Sequence, residues 1–386
     1  MVDGTDSHGT PSANPWTPPV EAAASGPAPS PYRPAANTPP PSWTPPSQPG
    51  LVPLRPMTLG AILGASFRTL RRNPRPLLGL ALSTQFLVGI ITAAVMGAAF
   101  FWMFSRLENV SAENLEEVTA GGIFALLLSN LVPLLLGTAL VALLQGIVVL
   151  EVARATIGEK LTLRQLWGRA RGRLWALIGW TLLLIVAAGV AIAVLGGLIA
   201  LFVVLLGVVG VAIGVGIGIL GAIGLVVLGV WLGTKLSLVP SALMVERLPL
   251  RAAVFRSWQL TDRHFWRTFG IQALVAVILS VAAQVVSTPV SFLMPMLSFI
   301  VDPNGTNQEL GLAVVMGVYA LFLALLIVMT SITTVVQSAT NGLIYLDLRM
   351  RKEGLELDLS RHVEERDAGL SDLQDPFLPR TSPSRS

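Results

Sequence analysis

The chain has 386 residues, of which 53% are hydrophobic and only 12% are charged, and its net charge is +4. A soluble domain carries about 25% charged residues, so this composition is typical of a membrane protein. Cysteine is absent, which excludes disulfides, thiolate metal sites and a cysteine nucleophile.

Residues 1–54 differ in composition from the rest, since fifteen of them are proline. So much proline prevents regular helix or sheet and predicts a disordered tail. The sequence Trp16-Thr17-Pro18-Pro19 recurs as Trp43-Thr44-Pro45-Pro46. A repeat of this kind fits a partner that binds proline-rich segments, although incidental aromatics in a disordered tail are the favoured interpretation.

A basic amphipathic helix is predicted from Met57 onwards. Its apolar face holds Leu59, Ile62, Leu63, Phe67 and Leu70, and its opposite face holds Arg68, Arg72 and Arg75. This pattern is typical of a helix in the membrane interface, with these arginines facing anionic headgroups. Asn73-Pro74 is expected to end the helix and to turn the chain into the bilayer.

Six apolar segments follow, and one transmembrane helix needs about 20 apolar residues. The predicted spans are 77–105, 121–150, 174–203, 207–233, 268–300 and 311–346. The third and fourth spans come from 61 residues, Leu174 to Thr234, that include no Asp, Glu, Lys, Arg or His. A stretch of this length is too long for one span and predicts a helical hairpin. Pro133 is expected to kink the second span.

These elements predict an all-α integral membrane bundle of six transmembrane helices, with amphipathic interfacial helices on the cytoplasmic face. The membrane domain is expected at 55–359, and a polar disordered cytoplasmic tail at 360–386. Within the hairpin, Gly210, Gly214, Gly218 and Ala222 form a ridge of small residues that lets helices approach closely. Packing inside the chain is the favoured role of this ridge, and a homo-oligomer is the alternative.

The loop between the fourth and fifth spans is predicted to hold another interfacial helix. Val254, Trp258, Phe265 and Phe269 share its apolar face, and Arg256, Arg263 and Arg267 lie opposite, again facing headgroups. Met57–Gly79 and Leu248–Gly270 align without gaps with five identities in 23 residues. Because a shorter version precedes the third span, the chain is interpreted as three units of surface helix, span and span.

The distribution of Lys and Arg predicts the orientation. With six spans, 25 of these residues lie on the side of the termini, and Arg106 alone lies on the other side. So strong a bias places both termini in the cytoplasm. It also assigns the net positive charge to an anionic membrane surface, so no nucleic-acid partner is expected.

Polar residues on the fifth and sixth spans are the candidates for a site, because no span contains an ionisable residue. A polar cavity would be lined by Gln284, Thr334, Gln337, Asn341 and Tyr345. Hydrogen bonds across a dry helix interface are the favoured alternative. The sequence lacks metal-binding, acyl-transfer and phosphate-loop motifs, so we expect no enzymatic activity, no cofactor and no metal.

Three motifs resemble one known family. They are Met57-Thr58-Leu59-Gly60, Arg256-Ser257-Trp258-Gln259-Leu260-Thr261 and the segment from Tyr345 to Gly354. Over about Met57 to Leu359 the chain is similar to the family named for the membrane domain of glycerophosphoryl diester phosphodiesterases. Fused members also carry a cytoplasmic phosphodiesterase barrel, for which this sequence has no room. The resemblance implies a bacterial plasma-membrane protein, of the stand-alone type frequent in actinobacteria.

The function expected from the sequence is non-enzymatic. The leading hypothesis is a protein that binds or organises lipids of the anionic inner leaflet, or membrane or cytoplasmic protein partners. The alternatives are a transporter or lipid-translocating protein, and a membrane subunit of a phosphodiesterase acting on phospholipid-derived substrates.

Overall fold

A computed structural model describes residues 50–51, 55–107, 110, 114–301, 308–370 and 374–378. In this part of the chain the fold is all-α, with no strand. The helices are α1 (Leu59–Arg72), α2 (Pro74–Leu107), α3 (Leu115–Ser129), α4 (Leu131–Thr156), α5 (Leu163–Ala170), α6 (Leu174–Leu236), α7 (Val239–Val245), α8 (Leu250–Thr261), α9 (Phe265–Val301), α10 (Gln308–Glu353) and α11 (Leu355–Asp367).

Five helical stretches are long and apolar enough to cross a membrane, by length and composition. They are Pro74–Leu107, Glu117–Thr156, Leu163–Val245, Phe265–Leu293 and Met316–Glu353. The described residues thus have the elements of an all-α, multi-pass membrane bundle. Of the predicted tail at 1–54, residues 1–49 and 52–54 lie outside the described residues.

The longest helix, α6, is interrupted at Gly207, where φ is 58° and ψ is −130°. Glycine adopts this conformation without the steric cost that a Cβ adds. Beyond it the chain turns back along the first half of the helix, as two close approaches show. A Cβ on Gly210 would lie 2.0 Å from the carbonyl oxygen of Phe202, and one on Gly221 would lie 2.4 Å from Leu195 Cδ1. The two halves of α6 are therefore antiparallel and in close contact near Gly207.

The second apolar stretch is interrupted at Asn130, between α3 and α4, rather than at Pro133 itself. Proline has no N–H to donate to the carbonyl four residues earlier, which is that of Ser129. The predicted kink therefore appears at Asn130, next to the carbonyl of Ser129 that lacks its hydrogen-bond donor. Hydrogen bonds from Asn130 N to Leu126 O (3.3 Å) and from Leu134 N to Asn130 O (3.1 Å) keep the two helices joined.

The basic segments meet at one end of the bundle, which we name the charged end. There Arg72 Nη1 donates to Ala155 O (3.1 Å) at the end of α4. Arg173 Nη1 donates to Leu248 O (2.7 Å), which joins the start of α6 to the α7–α8 link. Most of the buried core lies near this end, and α10 packs there against α1, α2, α4 and α9.

Helix α1 packs onto the bundle through a face that overlaps only in part with the predicted apolar face. Its buried residues are Ile62, Ala65, Ser66 and Thr69, whereas Leu59 and Phe67 of the predicted apolar face are exposed. Ser66 accepts a hydrogen bond from Thr340 of α10 (2.9 Å). Small side chains allow α10 to approach closely, so packing against protein determines which face of α1 is buried.

The second predicted amphipathic helix is wrong in its extent. Helix α8 ends at Thr261, and Arg263 has a φ of 63° in the link that precedes α9. Phe265 and Phe269 therefore belong to α9, where their rings stack 6.2 Å apart.

The predicted tail at 360–386 is wrong for its first part, because α11 continues to Asp367. Gly354 begins this helix with a left-handed φ of 66°. Arg366 of α11 donates to Ile157 O (2.8 Å), so the helix is attached to the end of α4.

Candidate functional site

A cleft of about 700 Å³ lies between the two halves of α6, on the side of the hairpin nearer the charged end. We name it the α6 cleft. Helices α4, α7 and α10 complete it through Gln145, Pro240 and Asn341. Pockets for small ligands have volumes of about 300–1,000 Å³, so the cleft is large enough for a ligand. Ile192 and Val226 at its border are 64% and 65% exposed, so the cleft opens sideways onto the apolar surface.

Small residues create this space. Ala187, Ala188 and Ala191 line one wall, and Gly229 and Gly233 line the other. A Cβ on either of these glycines would meet no atom within 4 Å. Nearer the hairpin turn the glycines are in tight contact with the opposite half, so the hairpin is closed at the turn and open at the cleft.

The polar groups of the cleft lie at the end nearer the charged end. Asn341 Oδ1 accepts a hydrogen bond from Gln272 Nε2 of α9 (3.0 Å), which orients its amide. Gln145 of α4 is half-buried in the same lining. Thr181 and Ser237 also line the cleft, but their hydroxyls donate to carbonyls of their own helix or turn. Two amides are therefore the main groups that a ligand would meet.

Beyond the cleft, α10 enters a network of buried charges around Glu246. Arg256 binds both carboxylate oxygens of Glu246 at 2.9–3.0 Å, and its Nη1 lies 2.6 Å from Glu353 Oε1. Arg349 Nε lies 3.2 Å from Glu246, and the hydroxyl of Tyr345 donates to the same carboxylate. Burial opposes the charge on Arg256, but hydrogen bonds to Glu246 and Glu353 outweigh it and raise the pKa of the guanidinium above its ordinary value.

A second network surrounds Asp347 and fixes the start of α1. Asp347 Oδ1 accepts from Met57 N (2.7 Å), and Oδ2 accepts from Arg267 and Arg351 (both 3.0 Å). The two guanidiniums also donate to Met57 O at 2.7 and 2.8 Å. Guanidiniums, the hydroxyl of Tyr345 and the N–H of Met57 already occupy the two carboxylates, so the geometry supports a structural role.

The five residues predicted to line a polar cavity do not share one cavity. Gln337 lies in a separate pocket of about 280 Å³ between α9 and α10, whereas Asn341 lies in the α6 cleft. Tyr345 is fully buried against Glu246. Thr334 donates to Thr330 O of its own helix (2.7 Å), and Gln284 is exposed. The prediction of a common cavity is therefore wrong. The Gln272–Asn341 pair matches the alternative, hydrogen bonding across a helix interface.

The arginines predicted to face headgroups fall into two groups. Arg256 and Arg267 turn inward to Glu246 and Asp347, so the prediction is wrong for these two, while the Nη atoms of Arg72 donate to two carbonyls near the end of α4. Buried carboxylates and carbonyls supplied by other helices attract their guanidiniums. The remaining three, Arg68, Arg75 and Arg263, are exposed.

Sequence reasoning missed two contributions to this end of the molecule. Gln145 lines the α6 cleft, but it and Asn130 are the two amides of the second predicted span and they form no pattern. In the predicted tail, Phe377 is 1% exposed, its ring lies 5.4 Å from the guanidinium carbon of Arg154, and Asp375 pairs with Arg154. An aromatic residue beside an acid in a polar tail was the available indication.

Comparisons with known proteins give no relative to assign a role to these residues. The chain matches no family model, no curated protein and no solved structure. The resemblance to the phosphodiesterase membrane-domain family stays a prediction.

Proposed function

We propose that this protein is a multi-pass plasma-membrane protein that binds a lipid-like amphiphile in the α6 cleft and has no catalytic site of its own. The apolar part of the ligand lies along the small residues of the hairpin. Its polar part, an uncharged hydroxyl or ester, meets the amides of Gln145 and Asn341. This function deepens the leading hypothesis from the sequence, a lipid-binding protein of the inner leaflet.

One observation carries the proposal, namely that small residues leave an unfilled space between the two halves of α6 beside two amides. Larger side chains at these positions would fill the cleft, since a Cβ on Gly229 or Gly233 would project into open space. The polar part of the ligand is uncharged because a buried charge without a partner is costly. The cleft lining contains no Asp, Glu, Lys or Arg among the described residues.

Native mass spectrometry of protein gently extracted from its own membrane tests this function. We expect a bound amphiphile that is lost in Gly229→Leu, because the new side chain fills the cleft. Gly224→Leu is the matched control, since Gly224 lies in the same half of α6, is exposed and is not part of the lining. Equal retention by the two variants, or no bound amphiphile in the parent protein, would contradict the proposal.

The proposed topology has six spans, with the two halves of α6 as the third and fourth, and the charged end in the cytoplasm of a bacterium. The support is the excess of Lys and Arg there. Because the chain lacks cysteine, single cysteines at Arg263 and Arg106 provide a matched pair. A membrane-impermeant thiol reagent added to intact cells should label position 106 and leave position 263 unlabelled, and the reverse result would refute this orientation.

Transport is the second candidate, and the pocket between α9 and α10 favours it. Gln337 lies there with Ser280, Ser287, Thr330 and Thr333. The hydroxyls of Ser280 and Ser287 donate to carbonyls of their own helix, so the amide of Gln337 is the principal group for a solute. Substrate-dependent flux in vesicles that is lost in Gln337→Leu but kept in Gly229→Leu would favour transport over amphiphile binding.

A further inference from the structure

A basic concavity of about 490 Å³ lies at the charged end, distinct from the α6 cleft. Arg68, Arg71 and Arg72 of α1 line it, together with Gly50 and Leu51. Leu51 N donates to Ala155 O (2.8 Å), which attaches this short segment to the end of α4. The concavity is therefore bordered by two parts of the chain rather than being the flat surface of one helix.

The three arginines carry more positive charge than their surroundings balance. Arg72 donates to Ala155 O and Gly158 O, at 3.1 and 3.2 Å, and the carboxylate of Glu151 acts on it electrostatically. Arg68 and Arg71 are exposed and make no ion pair within the described part of the chain. Like charges three or four residues apart on a helix repel each other, and an anion between them would remove this repulsion.

Arg72 is also prepared for a ligand. Its Nη atoms are fixed by the two carbonyls, which hold the guanidinium at the edge of the concavity. A fixed guanidinium loses little conformational entropy when it binds, and the Nη hydrogens that the carbonyls do not use can donate to phosphate oxygens.

We propose that this concavity binds a phosphate group, with Arg68 and Arg71 as the adaptable ligands and Arg72 as the fixed one. The phosphate belongs either to an anionic lipid headgroup or to a soluble phosphate compound. Basic pockets at the cytoplasmic side of membrane helices bind headgroups in this way. The proposal does not rest on the α6 cleft, because the two sites share no residue.

The experiment uses the full chain in phosphatidylcholine nanodiscs, with and without phosphatidylglycerol. Native mass spectrometry measures how strongly the protein retains phosphatidylglycerol. The test variant is Arg68→Gln/Arg71→Gln. It should fold like the parent, because the two arginines make no ion pair with the described residues. The control Arg75→Gln/Arg251→Gln removes the same charge from exposed arginines outside the concavity.

We expect the test variant to retain phosphatidylglycerol at least about tenfold less than the parent, since it lacks two of the three guanidiniums that bind the phosphate. The control should retain it like the parent. A soluble source would show instead as binding of inorganic phosphate in phosphatidylcholine nanodiscs, lost in the test variant alone, which supports the same site. Equal losses in both variants would indicate diffuse surface charge and overturn the proposal, as would an absence of selective binding of either probe.

Discussion

An alanine series along the second half of α6 tests whether the hairpin is packed as described. At Gly210 a Cβ would lie 2.0 Å from the carbonyl oxygen of Phe202, which belongs to the backbone and cannot move by a side-chain rotation. At Gly221 the nearest atom is the flexible end of Leu195, at 2.4 Å. At Gly224 a Cβ would meet nothing within 4 Å.

The expected effects combine two opposing contributions. Alanine is favoured over glycine in a helix by about 1 kcal/mol, while overpacking costs typically about 1–3 kcal/mol and occasionally more. Gly210→Ala should therefore destabilise the protein by more than about 2 kcal/mol. Gly221→Ala should cost about 1 kcal/mol, because Leu195 can change rotamer. Gly224→Ala should be neutral or stabilising by up to about 1 kcal/mol.

The free energy of unfolding, measured by adding a denaturing detergent to protein in a mild one, provides the assay. The order of the three variants is more informative than any single value, since helix propensity changes equally in all of them. If Gly210→Ala were as stable as Gly224→Ala, Phe202 and Gly210 would not be in contact and the antiparallel packing would be refuted. Gly214→Leu belongs to the same test, because its Cβ would lie 3.2 Å from Ile199 Cγ2, and it should also be destabilising.

Three further variants test the charged end. Phe377→Ala removes a fully buried ring and about 3 kcal/mol of packing, so proteases should cleave the segment at 374–378 more readily; unchanged protection would show that the ring does not hold it. Asp347→Asn leaves two guanidiniums without a carboxylate and should lower the free energy of unfolding by about 2–3 kcal/mol; an unchanged value would remove its structural role. Tyr345→Phe should cost about 1–2 kcal/mol through the lost hydrogen bond to Glu246, with retention of amphiphile unchanged, whereas loss of the ligand would place the tyrosine in the site after all.

The hairpin was predictable because two simple properties of the sequence determine it. A charge-free stretch of 61 residues is too long for one span, and glycines four residues apart allow two helices to touch. The predicted gap between spans, at 204–206, lies directly before the observed turn at Gly207. The local sequence was sufficient here because both partners of the packing belong to one segment.

The candidate site was less predictable because its residues come from separate helices. The helical period places Thr334, Gln337 and Asn341 on one face of α10, but periodicity cannot reveal which helix each residue meets. Asn341 meets Gln272, while Tyr345, one turn further on, meets Glu246 from the α7–α8 link. The link between α8 and α9 was missed for a related reason, since Arg263 adopts a left-handed conformation without glycine or proline to indicate it.

The same separation of helices determines which ligand chemistry each proposed site accepts. Asn341 lies six residues before Asp347, or about 9 Å along the helix. The nearby buried carboxylates are already paired, Glu246 with Arg256 and Asp347 with Arg267. A charged ligand group at the depth of Asn341 would therefore lack a counter-ion, so the α6 cleft suits an uncharged polar group. The unbalanced charge lies at Arg68 and Arg71, which is where an anion gains most from binding.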